Sequence, residues 1–481
     1  LLIFSPFLTF ALKIFTMPSL LQQAYDPESF RRQGHQLIDH LADFLARNSS
    51  GEEELVIPWR EPENELAFWK NYLLKPDDRP EFFQTILDHS TRVHHPRCMG
   101  HQVDPPAPLS ALAGLVSDLL NNGMAIYEMG MASSAMEEIV VRTATDAFGW
   151  GDRAGGHLTS GGTLANLTAM LAARRAKAPH DVWLEGTHEQ LALLVSEEAH
   201  YCIDRAVRIM GWGSEGIIKV PSDERYCMRT ELLERIFEEE SRKGKKIIAV
   251  VGSACSTSTG SYDDLEAIAA FCEKHGLWMH VDGAHGAAVA FSPAYRYLIK
   301  GIEQADSVTM DFHKVLLAPT LTTGLFFRDR AYSFATFSQE AAYLFQKAGE
   351  EDWYNLGKRT FECTKLMMSA KVYALLQAYG TGLWEEYVTR CYDLGRRFAE
   401  IIQSRENWEL ALEPACNIVC YRLKGADNAL LRKKLIEEGS FYIVQTKLRG
   451  ETYLRSTLTS PFTTEGDLEA LLDRLEALAT V

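Results

Sequence analysis

Two short stretches carry the chemistry this chain can do. They are His280-Val281-Asp282-Gly283-Ala284-His285 and, further on, Asp311-Phe312-His313-Lys314. In the first, an apolar run closes on an aspartate and passes into two small residues. In the second, a lysine follows a histidine in a polar turn. A carboxylate closing a buried strand needs a positive partner, and a lysine amine can condense with an aldehyde. Pyridoxal 5'-phosphate (PLP) asks for both. An amine holds its aldehyde as a Schiff base, and a carboxylate keeps its ring nitrogen protonated so that the ring accepts electrons. Lys314 is therefore the candidate Schiff-base lysine and Asp282 the candidate pyridinium partner. The small Ala284 leaves room for the flat face of the ring.

Other residues fit around these two. Ser160-Gly161-Gly162-Thr163 precedes a helical pattern. Glycines let a backbone approach closely and helix-start amides bind phosphate, so Gly162 and Thr163 are candidate phosphate contacts. His200 follows a strand-like run and Glu197-Glu198; its ring can stack on the cofactor near the substrate α-carbon. Thr257, in Ser256-Thr257-Ser258, can donate a hydrogen bond near the ring hydroxyl or the substrate carboxylate, although the same triplet also reads as a plain turn. Taken singly, the bland readings are a solvated lysine, a helix-capping aspartate and a surface histidine. Their shared position just after apolar runs argues for chemistry instead. His94, His95 and His101 lie close in sequence, but no carboxylate or cysteine completes a ligand set there, so no metal is expected.

The elements that must position these residues follow from periodicity. From about residue 108 onward, helical patterns alternate with short apolar runs at 156–159, 191–196, 247–252, 277–282 and 307–310. Such alternation predicts an α/β fold with a mostly parallel sheet covered on both faces. Functional groups then gather at the carboxyl ends of the strands, which is where Ser160, His200, Thr257, Asp282 and Lys314 fall. Residues 332–355 lack a clean period and are a candidate lid. Strands are expected at 408–412, 418–423 and 453–456, with helices at 430–438 and 467–478, giving a small α+β C-terminal domain. The N-terminal patterns at 27–46 and 65–74 are amphipathic and too small to fold alone, so they are expected to pack on a partner subunit. The expected divisions are an apolar leader-like segment at 1–16, an N-terminal helical segment at 17–93, a large cofactor domain at 94–370 and the small domain at 371–481.

Composition narrows the function classes. The chain has 481 residues, 46% hydrophobic and 24% charged, with a formal net charge of −16. That balance argues against a nucleic-acid surface and against a polybasic membrane patch. The nine cysteines include no Cys-x-x-Cys pair, which suits reduced thiols in a cytoplasmic protein. Cys416 and Cys420 are read as core packing. The apolar segment 1–15 contains one charge, Lys13, and a proline; it is read as non-native or targeting-like rather than as a membrane span.

With these residues in hand, the chain resembles the group II PLP-dependent amino acid decarboxylases, which include glutamate, aromatic-L-amino-acid and diaminobutyrate decarboxylases. The resemblance runs from about Asp26 to the C-terminus. It implies the aspartate-aminotransferase fold (fold type I), a homodimer with sites at the subunit interface, PLP as cofactor, and an L-amino acid as small-molecule substrate. Carried over by motif, Lys314 resembles the Schiff-base lysine, Asp282 the pyridinium partner and His200 the stacking histidine. Gly162, Thr163, Thr257, Ala284 and His313 complete the cofactor set. His101, in His95-Pro96-Arg97-Cys98-Met99-Gly100-His101, is similar to a segment lining the substrate entrance. Lys365 aligns where relatives use an arginine to grip the substrate carboxylate, and Tyr354 is the candidate lid acid. Asp311 stands where several relatives carry asparagine, and beside a phosphate its charge needs a partner. His285 replaces a bulky aromatic. The expected activity is removal of CO2 from an L-amino acid to leave an amine. Another carbon–carbon lyase, a decarboxylating aldehyde synthase, a transaminase and a silent PLP-binding dimer are the alternatives.

Overall fold

The computed structural model describes residues 19–74, 81–337 and 352–480. These residues fall into two compact units. One comprises residues up to Asn48 together with Arg60–Ser90, and the other Ser49–Trp59 together with Thr91 onward. The first unit holds the helices Pro27–Ser49, Pro62–Leu73 and Phe82–Asp88. Within it, His89 Nδ1 lies 2.9 Å from the Glu65 carboxylate and the His89 ring lies 4.2 Å from that of Phe68.

The second unit is built on a seven-stranded sheet. Its strands are β1 (Gly155–Thr159), β2 (Leu191–Ser196), β3 (Ile217–Val220), β4 (Lys246–Ser253), β5 (Trp278–Asp282), β6 (Ser307–Asp311) and β7 (Thr323–Phe327), in the order β1-β7-β6-β5-β4-β2-β3. Strands β3, β2, β4, β5 and β6 pair in parallel. Strand β7 runs antiparallel to both β6 and β1. Alternate residues face opposite sides, as the pleat requires. Leu194, Val250, Val281 and Met310 join one apolar core, and Leu193, Val251 and Trp278 another. The helix Gly162–Lys177 contributes Ala165, Ala169 and Met170 to the second core, and the helix Leu265–His275 contributes Ile268 and Phe271 to the first. That second helix is framed by its sequence: Asp264 accepts from Ala267 N at its start, and Gly276, at φ +66°, turns the chain out of it. Burial of both sheet faces is what made β2, β4, β5 and β6 legible as short apolar runs.

An antiparallel sheet completes the unit. It consists of β8 (Trp408–Leu410), β9 (Ile418–Leu423), β10 (Val444–Leu448) and β11 (Glu451–Thr457), ordered β10-β11-β9-β8. Helices Asn428–Glu438 and Glu465–Ala479 close it with Leu435, Leu468, Leu471 and Leu475. The α/β class, the mostly parallel sheet and the small α+β part thus match the expectation from sequence.

Several elements differ from it in detail. Strands β3, β7 and β10 were not anticipated. Each is four or five residues long; β3 and β10 mix exposed positions with buried ones, and β7 carries a glycine, so none announces itself as an apolar run. The helix Tyr127–Ala147 kinks at Gly130. Of the candidate lid, Ala331–Thr336 is helical, and residues 338–351 lie outside the described residues, as does the leader-like segment 1–16.

Candidate active site

Because β2, β4, β5 and β6 are parallel, Ser196, Ser253, Asp282 and Asp311 end on the same edge of the sheet. Asp282 is at the centre of that edge. Its Oδ2 accepts from Asn166 Nδ2 at 3.0 Å and its Oδ1 from Ala284 N at 3.3 Å. Burial pushes the Asp282 carboxyl up, against the opposing pull of Lys314 and His200. Behind it runs a polar chain. Asn166 spends its amide N–H on Asp282, so its Oδ1 accepts from His280 Nε2 at 2.8 Å. With its proton on Nε2, His280 accepts at Nδ1 from Ser307 Oγ at 2.8 Å, and Ser307 Oγ in turn accepts from Trp278 Nε1 at 2.9 Å. Every member of the chain has a defined donor or acceptor role, and burial holds His280 neutral, its pKa pushed down to about 3.

Lys314 sits in the short helical turn Phe312–Val315 that follows β6. Its Nζ lies 3.0 Å from Asp311 Oδ2. Burial pulls the amine pKa down, but Asp311 and then Asp282 more than offset it, so the net shift is upward. Asp311 does not stand as an unpaired anion: Thr323 Oγ1 also donates to it, and His313 Nε2 is 3.7 Å away. Burial opposes its ionisation, yet Lys314 and His313 hold the carboxyl below its ordinary value. The loop beyond Lys314 is pinned by the buried Asp104, whose carboxylate accepts from Leu317 N, where the backbone is left-handed at φ +62°. Trp384 Nε1 donates to Leu316 O at 3.0 Å.

The turn after β1 faces these residues. Gly161, at φ +106°, is the N-cap of the helix Gly162–Lys177, and no side chain caps it. The first N–H groups are therefore left for an anion. A Cβ on Gly162 would stand 3.4 Å from both Asp311 carboxylate oxygens and 3.6 Å from Ala284 Cβ. Glycine thus keeps the helix start close to β5 and β6. Thr163 is exposed in the first turn. Glu362 fixes the turn from beside it, accepting from Thr159 Oγ1 at 2.9 Å and Ser160 Oγ at 3.0 Å.

Lys365 requires a correction. Its amine does not reach an open site; it is buried, ion-paired to Glu137 and donating to the Leu158 carbonyl. Glu137 also accepts from Leu158 N at 2.9 Å. Desolvation forces this arrangement, because two buried charges must meet, and the pair clamps β1 one residue before the turn. Tyr354 packs against the rings of Tyr127 and Trp353, and among the described residues no contact joins it to Lys314. His101 is exposed, with its ring 6.0 Å from that of Tyr442. Burial of part of the group, together with Arg455 and Arg432, pushes its pKa down.

His200 caps the helix Tyr201–Ile209, its Nδ1 accepting from Cys202 N at 3.4 Å. The neutral ring therefore carries its proton on Nε2. Burial lowers its pKa, Asp282 opposes that shift and Lys314 reinforces it. Thr257 is half-buried in the turn after β4. His313 Nδ1 lies 3.0 Å from the Thr322 carbonyl. Sequence reasoning missed Arg455 on β11. The residue is 5% exposed, and among the described residues its Nε and Nη2 have no hydrogen-bond partner. Its signal in sequence, one arginine inside Tyr453-Leu454-Arg455-Ser456, is no different from that of a surface strand.

The residues fit a phosphorylated pyridine aldehyde. An uncapped helix start stands against Ala284, a carboxylate is held by two N–H donors, and the Lys314 amine acts on that carboxylate through its charge. Comparison with known proteins agrees. The pyridoxal-dependent decarboxylase conserved domain is matched over residues 80–424. Rat cysteine sulfinic acid decarboxylase is 27% identical over 94% of this chain and 97% of that protein. The acidic amino acid decarboxylase GADL1 of mouse is 29% identical over 82% of this chain and 76% of its own. The crystal structure of mouse CSAD superposes with a TM-score of 0.87 at 26% identity, covering 94% of this chain and 99% of that one.

Proposed function

The chain belongs to the pyridoxal-dependent decarboxylase family, and from that premise we propose that it removes CO2 from an L-amino acid bearing a second acidic group. It is a PLP-dependent carboxy-lyase acting on an amino acid. The observation that carries the finer reading is the buried Arg455 guanidinium with two unpartnered nitrogens. A buried cation without an anion is costly, and a substrate carboxylate or sulfinate supplies one. His101 and His285 both sense the Arg455 charge, and His285 also senses Lys314, so the guanidinium lies within electrostatic reach of the reacting centre. Arg455 takes the role that sequence gave to Lys365. That two relatives are named for cysteine sulfinate and acidic amino acids supports the same choice.

In this reading Lys314 holds the cofactor through its amine, Asp282 faces the ring nitrogen, and the start of the helix Gly162–Lys177 takes the phosphate. PLP when bound supplies an electron sink for the bond that breaks. Asn166 and Ala284 N orient the Asp282 carboxylate and keep it ionised against burial. His200 presents its Nε2–H towards the site, and Asp311 holds Lys314 in place. The carboxylate leaves as CO2 and a proton replaces it on the α-carbon.

The same reading extends to a homodimer in the cytoplasm. Leu112, Leu115, Val116, Leu119 and Leu120 are all exposed along one stripe of the helix Pro108–Leu120, and the exposed Met129 and Met131 follow. A stripe at that spacing marks a buried helix face. All nine cysteines are free, and among the described residues no helix is long and apolar enough to cross a membrane.

The test is turnover of the holoenzyme on a panel of acidic, sulfinate and aromatic L-amino acids, with CO2 and amine measured. Acidic substrates are expected to lead, and Arg455→Met is expected to raise their KM selectively. An aromatic preference unaffected by Arg455→Met refutes the substrate class, and a keto acid or aldehyde product refutes decarboxylation to an amine.

A further inference from the structure

Beside the cofactor edge lies a group that the reaction above does not use. Cys255 follows β4, His285 follows the turn after β5, and Cys416 precedes β9. All three are buried, and the two sulfurs and a ring nitrogen lie within 4.8 Å of one another. We propose that Cys255, His285 and Cys416 form a binding site for one thiophilic d10 metal ion, Zn2+ or Cu+.

The imidazole supplies the independent evidence. Asn417 Nδ2 donates to the Leu458 carbonyl at 3.0 Å, so Asn417 Oδ1 is the atom that accepts from His285 Nε2 at 2.8 Å. The proton is thereby fixed on Nε2, and Nδ1 keeps a bare lone pair. Among the described residues that Nδ1 is buried without a hydrogen-bond partner, in a residue 2% exposed. A buried acceptor left bare costs about 1–3 kcal/mol. Metal-ligating histidines have this arrangement: one nitrogen donates to an oxygen that fixes the tautomer, and the other binds the ion.

The sulfur geometry agrees. Cys255 Sγ and Cys416 Sγ are 3.9 Å apart. Two thiolates on one zinc at about 2.3 Å stand about 3.8 Å apart at a tetrahedral angle and about 4.0 Å at a trigonal one. A packing contact has a similar length, so the distance permits the site and the bare Nδ1 argues for it. Two thiolates and an imidazole select soft ions over Mg2+ or Ca2+.

The charges around the cluster also suit a cation held by anions. Arg455 faces Cys255, Cys416 and Cys420, while Lys314 and Asp311 act on His285 with opposite signs. The Tyr262 and Tyr392 hydroxyls, 2.6 Å apart, border both sulfurs. The thiol protons pass to solvent as the ion binds. Two thiolates neutralise Zn2+ and leave Arg455 its charge for the substrate, whereas with Cu+ the site keeps one net negative charge beside Arg455. A cleft of about 200 Å³, lined by Ser261, Tyr262 and Ala415, opens next to Cys416 in the chain. Because the ligands come from beyond β4, beyond β5 and just before β9, the ion ties the cofactor edge of the large sheet to the small one. The site has no motif in the sequence, because its ligands are far apart in the chain.

The experiment is an anaerobic titration of reduced holoenzyme with Co2+. One equivalent per chain is expected to give a thiolate-to-cobalt charge-transfer band with four-coordinate d–d bands. The signal should be lost in Cys416→Ser and in His285→Gln and retained in Cys227→Ser/Cys363→Ser, which removes the accessible thiols. Displacement by Zn2+ assigns a zinc-type site, and displacement only by Cu+, delivered against bicinchoninate, assigns a copper-type one. The proposal is overturned if wild-type protein holds neither Co2+ nor Cu+ at one equivalent, or if the band survives in folded Cys416→Ser or His285→Gln.

Discussion

The Asn166–Asp282 hydrogen bond allows a quantitative test of how the carboxylate is kept ionised. Asn166 Nδ2 donates to Asp282 Oδ2 at 3.0 Å, on a group that burial pushes toward its neutral form. A hydrogen bond to a charged group contributes about 1.5–3 kcal/mol, and one pH unit corresponds to about 1.36 kcal/mol. Asn166→Ala removes that donor while keeping a good helix former inside the helix Gly162–Lys177. The Asp282 pKa then rises by about one to two units. In the proposed reading the ionised carboxylate is the form that meets the ring nitrogen, and it is lost as pH falls through its pKa, so the acid limb of PLP binding to apo-protein is expected to move to higher pH by that amount. Below that limb, affinity drops by about ten- to a hundredfold. Asn166→Asp keeps an acceptor for His280 but sets a second carboxylate beside the first, so its limb moves further in the same direction. The assay is titration of apo-protein with PLP across pH, followed by cofactor absorbance, with a melting curve to confirm folding. If both variants fold and bind with the wild-type limb, Asn166 does not control the Asp282 charge and the polar chain through His280 and Ser307 is packing alone.

Three further outcomes follow from the same geometry. Lys365→Ala leaves the Glu137 carboxylate buried without its partner and should cost about 3–5 kcal/mol, read as a fall in melting temperature. An unchanged melting temperature with a raised KM would restore Lys365 to the substrate. Asp311→Asn removes the anion that raises the Lys314 pKa, so loading of apo-protein with PLP should extend to lower pH; no shift in the loading profile would refute that coupling. The pair Leu115→Glu/Leu119→Glu places two charges on the exposed apolar stripe of the helix Pro108–Leu120 and should yield monomers by sedimentation, whereas an intact dimer would place the interface elsewhere.

What the sequence by itself determined is local. Asp282 closes an apolar run before two small residues, and Lys314 follows a histidine after another, so the type and order of residues exposed the cofactor chemistry. The buried strands β2, β4, β5 and β6 were legible for the same reason, whereas β7, buried as fully but carrying a glycine, was not. Tertiary structure decided whatever depends on which groups share a buried space. Lys365 looked like a substrate grip until its amine met Glu137, more than two hundred residues away in the chain. Arg455 looked like any strand arginine until burial left its guanidinium without an anion. Asp311 looked hostile to a phosphate until Lys314 and Thr323 took up its charge. Asn166, inside a helix, gave no hint that its amide would reach the end of β5, and Cys255, His285 and Cys416 share no motif. Desolvation is the common cause: it prices each polar atom by its neighbours in space, and the chain order does not record them.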